Sequence, residues 1–243
     1  MPICDYSDTD YKQEFWQDQK REYEDGADKI AVLKLLPEQG VSILELGAGF
    51  GRLAEVYQDR FQKITLFDYA DNLLEQAKKK HQDTERFSFQ QGDINSLPYD
   101  ALFTDTVLMV RVSHHLEKIE KVLAEAARVL RPKGVFVLEY ANKRNFKEIG
   151  RFLIGRSKMN PFKHNVSDRN QKGFYNYHPA YIEKLCQKAG FRIEKVLSVS
   201  NFRWSFLKQL FGPGVLLWLE NLLQTPLGFV RFGPSIYLKL RKE

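Results

Sequence analysis

Three acidic residues, Glu45, Asp68 and Asp93, stand at or near the ends of successive short apolar segments. A carboxylate at Asp68 can accept two hydrogen bonds from a ribose diol, and one at Asp93 can accept from an exocyclic amine such as adenine N6. Each has a plainer explanation, Asp68 as a helix cap and Asp93 as a turn residue before Asn95. Three in succession favour a ligand that carries an ammonium, a ribose and an adenine.

A glycine-rich turn, Gly47-Ala48-Gly49-Phe50-Gly51, lies between the first apolar segment and a helical pattern. Glycines permit positive φ and let backbone amides approach a ligand, and a helix N-terminus adds donors. The alternative is a plain tight turn. Position 52 is Arg, so the GxGxxG spacing of nicotinamide dehydrogenases is absent. A dinucleotide would also place its pyrophosphate near Glu45, which is electrostatically unfavourable.

Five apolar segments alternate with helical patterns in the first 140 residues. The predicted strands are 41–46, 63–67, 87–89, 106–112 and 135–140, and the predicted helices between them are 52–60, 70–80 and 116–130. This alternation predicts βαβ units and an α/β fold with a parallel sheet covered on both faces. Ligands bind such sheets beyond the carboxyl ends of the strands, where the three acids and the glycine-rich turn lie.

The rest of the chain is less regular. Residues 1–39 are predicted to form a helical cap, with Tyr11, Phe15 and Trp16 on one helix and Gly26 separating it from a second. A helix at 178–189, a strand at 192–199 and a last strand at 235–240 follow the basic segment 143–172. Residues 200–232 are aromatic-rich and are predicted to be irregular. Because no repeat or linker interrupts the chain, we predict a single domain over residues 1–243.

Composition limits the class of protein. The chain has 243 residues, of which 43% are hydrophobic, and two distant Cys, Cys4 and Cys186. This pattern excludes a disordered chain, a disulfide scaffold and a CxxC zinc site, and we expect no metal. The sequence shows neither a signal peptide nor a membrane span, so a soluble, cytoplasmic protein is expected. Residues 1–100 hold 12 basic and 20 acidic residues, and residues 101–243 hold 25 and 11.

Together these motifs resemble the class I S-adenosylmethionine-dependent methyltransferases. The resemblance is carried by Ile43–Leu53, Phe67–Leu74, Gln91–Ile94, Leu97-Pro98 and Ala127–Pro132. Within that superfamily the chain is most similar to the small-molecule branch (methyltransferase type 11) related to quinone-biosynthesis C-methyltransferases. Two departures are Lys133, in place of the first Gly of the usual RPGG turn, and Phe103-Thr104-Asp105 before the fourth strand.

The resemblance implies a Rossmann-like sheet of seven strands in the order 3-2-1-4-5-7-6, with strand 7 antiparallel and helices on both faces. It also implies an S-adenosylmethionine site. Glu45, Gly47, Ala48, Gly49 and Gly51 would hold the methionine part. Asp68 and Tyr69 would hold the ribose, Asp93 and Ile94 the adenine, and Val110 and Arg111 would face the sulfonium and the acceptor.

Methyl transfer is an in-line displacement with an activated leaving group, so positioning can supply much of the catalysis. A base is needed only when the attacking group carries a proton of high pKa. His115 is the candidate catalytic base, ahead of His114 and His178. A place at a helix start or in the packed interior is the plainer explanation for each.

The resemblance places the acceptor site between the N-terminal helices and the insertion after the fifth strand. We predict that the insertions 143–175 and 200–232 form a substrate lid over a small acceptor, either apolar or aromatic, or anionic. A monomer or a homodimer is expected. One alternative is an RNA or DNA methyltransferase that uses the basic strip 143–172, although no NPPY-type motif or nucleic-acid module supports it. The other is a non-catalytic S-adenosylmethionine-binding module.

Overall fold

The computed structural model describes residues 21–83, 85–168 and 173–243. The helix predicted around Tyr11, Phe15 and Trp16 therefore lies outside the described residues, as do Arg169 and Lys172 of the basic strip.

A seven-stranded sheet forms the centre of the protein. In chain order the strands of the structure are β1 (Gly40–Leu46), β2 (Phe61–Asp68), β3 (Phe87–Gln91), β4 (Thr104–Met109), β5 (Leu130–Ala141), β6 (Val166–Asp168), β7 (Tyr175–Tyr177), β8 (Phe191–Val199) and β9 (Ser235–Lys242). The order in the large sheet is β3-β2-β1-β4-β5-β9-β8, and β6 pairs with β7 apart from it. β1 to β5 are parallel, and β9 is antiparallel to both of its neighbours. With the small β6–β7 pair set aside, this is the predicted order 3-2-1-4-5-7-6, which is confirmed.

Helices cover both faces of this sheet. They are α1 (Glu22–Leu35), α2 (Ala54–Tyr57), α3 (Asp71–Lys80), α4 (Glu120–Val129), α5 (Phe146–Leu153), α6 (Pro179–Lys188) and α7 (Ser205–Val230). Successive strand residues point to opposite faces. Thus Ile43 packs in a core with residues of α1, α2 and α3, and its neighbour Leu44 packs in a second core with residues of α4 and α6. None of the helices in the described ranges combines the length and apolar character that a membrane span requires.

Two predictions for the outer elements are wrong. Gly26 does not separate two helices, because it lies inside α1, where an added Cβ would stand 2.7 Å from Leu217 of α7. Glycine at this position lets the two helices approach closely. Residues 205–230 are not irregular, because they form α7, which kinks at Gly212 (φ 68°).

Two boundaries near the fourth strand also differ. β4 ends at Met109, not at Val112. α4 begins at Glu120, not at Leu116. Residues 113–115, which follow the end of β4, form a short 3-10 turn. This turn places His114 and His115 beyond the carboxyl end of β4.

Candidate functional site

The carboxyl ends of β1, β2 and β3 are tied together by backbone hydrogen bonds. The amides of Gly47 and Ala48 donate to the carbonyl of Phe67 over 2.8 and 3.1 Å. The amide of Gly92 donates to the carbonyl of Asp68 over 3.0 Å. The three turns that carry the predicted acids therefore meet at one edge of the sheet.

The glycine-rich turn has a left-handed backbone at three positions, with φ of 71° at Gly47, 54° at Gly49 and 70° at Gly51. At Gly47 an added Cβ would stand 2.1 Å from Val112, and at Gly51 it would stand 2.9 Å from His81. At Gly49 it would meet only Leu73, at 3.8 Å. Packing therefore explains two of the glycines, while Gly49 leaves its side of the turn open.

A cavity of about 50 Å³ lies beside this turn. Its lining includes six of the predicted site residues, Glu45, Gly47, Ala48, Gly49, Val110 and Arg111, together with Phe50, Arg52 and Leu53. The end of β1 and the end of β4 thus contribute to one site, as expected for neighbouring parallel strands. Gly51 faces His81 and Leu66 instead of the cavity.

Glu45 is a buried carboxylate in the cavity wall. Its Oε2 accepts a hydrogen bond from the Tyr57 hydroxyl. Burial raises the pKa of Glu45 to about 7, against the opposing effects of Tyr57 and Arg52. A carboxyl group poised in this way becomes ionised readily when a cation is placed beside it.

Asp68 links the glycine-rich turn to α3. Its Oδ2 accepts from the Gly49 amide at 2.7 Å and its Oδ1 from the Ala70 amide at 2.9 Å. The N-cap of α3 is Ala70, so Asp68 lies two residues before the cap and does not occupy it. Burial raises the pKa of Asp68, and these backbone donors lower it in part. Since a carboxylate offers about four lone-pair sites, each oxygen keeps capacity for a further donor.

The outer part of this edge is open to solvent. Tyr69 is 43% exposed. Asp93 is also exposed, and its Oδ1 accepts from the backbone amide and the side chain of Asn95, both at 2.8 Å. The plainer turn role of Asp93 is therefore present. Ile94 is half-buried against the second core.

A buried ion network that the sequence did not indicate joins two residues of the cavity lining, Arg52 and Arg111, to Asp28 of α1. Asp28 is fully buried and accepts two hydrogen bonds from Arg111, at 3.0 and 3.1 Å. It also accepts from Arg52 at 3.2 Å and from the Tyr237 hydroxyl at 2.8 Å. Burial alone would raise the pKa of Asp28, but Arg111 and Arg52 lower it overall.

The backbone of Arg111 is held in an unusual conformation. It has a φ of 63°, which is strained for a residue with a side chain. Its amide donates to Glu139 of β5 over 2.9 Å. Arg52, which follows the glycine-rich turn directly, could have been suspected from the sequence. Asp28 could not, because its role depends on how α1 docks.

Burial keeps the two histidines beyond β4, His114 and His115, neutral at pH 7. Burial lowers the pKa of His115 to about 4 and that of His114 well below its usual range. The His115 ring lies 5.4 Å from the ring of Phe174. His178 caps α6, because its Nδ1 accepts from the Ala180 amide at 3.2 Å.

Comparison with known proteins supports the sequence interpretation. The model of the methyltransferase domain family matches residues 44–138. A protein of Mycolicibacterium smegmatis described as a probable S-adenosylmethionine-dependent methyltransferase is 27% identical over 161 residues, which cover 66% of this chain and 55% of the relative. A ubiquinone/menaquinone biosynthesis C-methyltransferase of Rickettsia massiliae is 32% identical over 123 residues, which cover 46% of this chain and 50% of the relative. The resemblance noted from the sequence is thus confirmed.

The fold has solved counterparts. The structure of an S-adenosylmethionine-dependent methyltransferase from Mesorhizobium loti has a TM-score of 0.63 and 18% sequence identity, and covers 87% of this chain and 96% of its own. This similarity shows the fold. The chain spans about half the length of the two curated relatives described above.

Proposed function

We propose, from the match of residues 44–138 to the methyltransferase domain family, that the protein transfers the methyl group of S-adenosylmethionine to a small apolar or aromatic acceptor. The observation that carries the proposal is the joining of three turns at one sheet edge. There the buried Glu45 and the open side of Gly49 line one cavity, and Asp68 accepts a hydrogen bond from the Gly49 amide beside it.

The donor set fits the cofactor. Glu45 offers a carboxylate to its ammonium, and Asp68 has spare lone pairs for a ribose diol. The cavity of about 50 Å³ has room for only part of such a ligand, which we assign to the methionine end. The adenosine would then lie along the open edge formed by Tyr69, Asp93 and Ile94.

The acceptor end is assigned to the carboxyl end of β4. Val110 and Arg111 line the cavity there. Phe174, in the insertion 143–175, stacks its ring on His114 at 5.5 Å and so covers the turn beyond β4. This contact supports a lid role for that insertion. An apolar acceptor suits the aromatic cover, and one relative's name specifies quinone biosynthesis.

Catalysis would rest on positioning. When bound, S-adenosylmethionine supplies an activated methyl group, and the protein holds the acceptor in line with it while excluding water. His115 remains the candidate base. Because burial lowers its pKa to about 4, it is neutral at pH 7 but a weak proton acceptor. We therefore assign it a small part of the rate.

Titration calorimetry with S-adenosylmethionine, its demethylated product and NAD tests the cofactor assignment. We expect binding of the first two and none of NAD. Asp68→Asn should raise the dissociation constant about 10- to 100-fold, because one charged acceptor of the ribose is lost. Asp100→Asn, at an exposed position, is the matched control and should bind as the wild type does.

Failure to bind either sulfur compound would overturn the proposal, and tight binding of NAD would favour a dehydrogenase. Unchanged affinity in Asp68→Asn would refute only the ribose assignment. Association with tRNA that survives about 200 mM salt would favour a nucleic-acid acceptor over a small molecule.

A further inference from the structure

The last long helix, α7, turns two polar side chains inward and many large apolar side chains outward. Its buried residues recur every four positions, at Leu216, Glu220, Gln224 and Gly228. Two of these four are polar. Gly228 rests directly on β8, since an added Cβ would stand 2.1 Å from the Val196 carbonyl oxygen. A helix on a water-soluble protein normally turns its apolar side inward.

The inward polar residues are hydrogen-bonded to the body of the protein. Glu220 accepts from the Tyr23 hydroxyl at 2.6 Å and from the Ser200 amide at 2.7 Å. The Gln224 amide group donates to the Ala27 carbonyl at 2.9 Å. These contacts fix which side of α7 faces outward.

The outward side is apolar. Its exposed large side chains are Phe206, Leu210, Phe211, Val215, Trp218, Leu222, Phe229 and Val230, with Trp218 62% and Phe229 82% exposed. We call this set the apolar face. Of the charged residue types, α7 contains only Lys208 and the inward Glu220. Lys208 is paired with Glu24 at 2.7 Å. A group of large exposed apolar side chains on one helix marks an interaction site.

Both ends of α7 meet the basic insertion. The Trp204 ring, at the N-cap of α7, lies 5.3 Å from the ring of Phe146 in α5. Just beyond the other end of α7, the Arg144 guanidinium lies 4.8 Å from the centre of the Phe232 ring. The amide of Phe146 also donates to the Phe232 carbonyl over 3.0 Å. The apolar face and the basic insertion are therefore adjacent.

The insertion holds a basic cavity of about 660 Å³. Five cationic side chains line it: Lys143, Arg151, Arg156, Lys158 and Lys163. Lys143 is almost fully buried and donates to Ser167 at 2.9 Å. Arg151 lies five residues after Phe146, about 7 Å along α5. Leu153, Ile154 and Phe162, in the same stretch of chain, are exposed apolar residues.

We propose that the apolar face of α7 and the basic cavity beside α5 together bind the surface of an anionic lipid bilayer. An apolar strip beside a cationic patch is the combination that holds a helix in the plane of a membrane. Anionic headgroups would pair with the basic side chains, and Trp204 and Trp218 suit the interfacial region. Membrane binding at this face requires no particular methyl acceptor.

A second copy of the chain fits this surface less well. A two-fold dimer places the same patch against itself. The basic cavities of both copies would then lie at one interface, where like charges repel. An anionic bilayer satisfies the charge and the apolar area at once.

Co-sedimentation of the full chain with lipid vesicles tests the proposal. We expect binding to phosphatidylcholine vesicles that contain about 30% phosphatidylglycerol, and at least about tenfold weaker binding to phosphatidylcholine alone. Raising the salt from about 50 to about 300 mM should weaken the first interaction. Tryptophan emission should shift to the blue on binding.

Two pairs of variants separate the apolar and the cationic contributions. Trp218→Glu combined with Phe229→Glu should weaken binding about tenfold or more, whereas Val41→Glu, at an exposed apolar residue on β1, should not. Arg151→Glu combined with Lys158→Glu should remove the preference for anionic vesicles. Lys79→Glu combined with Lys118→Glu changes the net charge equally at exposed positions elsewhere and should preserve it.

Equal or absent binding to both vesicle types at low salt would overturn the proposal. If the protein forms a dimer that Trp218→Glu dissociates, and if it does not bind vesicles, the apolar face is an interface with a second copy. A photo-crosslinker at position 218 that captures residues 1–20 of the same chain, again without vesicle binding, would assign it to that segment.

Discussion

At the scale of single residues, Gly47 lies where a side chain has no room, because an added Cβ would stand 2.1 Å from Val112. Its φ of 71° costs a residue with a Cβ about 1–2 kcal/mol, and the new methyl group would overlap Val112. We expect Gly47→Ala to lower the free energy of unfolding by about 2–4 kcal/mol, measured by urea denaturation.

Gly155→Ala is the matched control for this change. Gly155 has the same φ of 71°, but nothing lies within 4 Å of its added Cβ. It should therefore show only the backbone cost of about 1–2 kcal/mol. Gly47→Ala combined with Val112→Ala should recover part of the difference, and equal losses in the two single variants would refute the steric argument.

Glu45 should make stability depend on pH. Burial raises its pKa from an ordinary 4.5 to about 7. Between these values the folded state holds a proton that the unfolded state has released, so folding loses stability as the pH rises. From pH 5 to pH 8 we expect a loss of about 2–3 kcal/mol from this group.

Urea denaturation of wild type and Glu45→Gln at both pH values isolates this contribution, because other buried carboxyls are common to the two proteins. In the variant, the loss of stability between pH 5 and pH 8 should be smaller by about 2–3 kcal/mol, because the glutamine side chain does not titrate. Glu38→Gln, at an exposed residue, should keep the wild-type profile. A variant as pH-dependent as the wild type would contradict the assignment to Glu45.

At the scale of elements, the sequence predicted the strands and helices whose apolar residues face the interior of the protein. β1, β2 and β5 each have a run of buried, mostly apolar residues because helices cover both faces of the sheet. α7 was missed because its buried side carries Glu220 and Gln224 while its apolar side faces outward. Gly212 and Pro213 also interrupt its periodicity. Hydrophobic periodicity assumes that the apolar side of a helix is buried, so it does not predict a helix that buries polar residues.

The start of β5, directly after α4, carries a departure with a measurable cost. Lys133 has a φ of 61°, where the resembling family has glycine. Its carbonyl accepts from Arg241 at 2.7 Å, and this bond needs no side chain at 133. We expect Lys133→Gly to raise the free energy of unfolding by about 0.5–1 kcal/mol, because the strain exceeds the entropy that glycine adds to the unfolded chain.

Thermal and urea denaturation check this expectation. Lys118→Gly, in an exposed loop without positive φ, is the control and should lower stability slightly. A loss of stability in Lys133→Gly equal to that in Lys118→Gly would show that the left-handed backbone at 133 carries no strain.

At the scale of the whole molecule, contacts between distant parts of the chain complete the site. The sheet edge with Glu45 and Asp68 follows from local motifs and was predictable. The Asp28–Arg111 contact joins residues 83 positions apart and depends on the docking of α1. That docking is set in turn by α7, which packs on α1 through the close contact at Gly26. Such long-range pairings leave no periodic signal in one sequence.

Because α1 is held by α7, the two helices should open together. The Tyr23 hydroxyl donates to Glu220 at 2.6 Å and accepts from the Phe202 amide at 2.9 Å, linking positions 197 and 179 residues apart. Tyr23→Phe leaves that amide without its partner and should cost about 1–3 kcal/mol. In amide hydrogen exchange we expect protection to fall by a similar factor, about tenfold, across residues 27–35 and 216–228. Tyr69→Phe, at an exposed hydroxyl, should leave both segments unchanged. If exchange quickens only near residue 23, then α1 opens independently of α7, and Asp28 is held by Arg52, Arg111 and Tyr237 without support from α7.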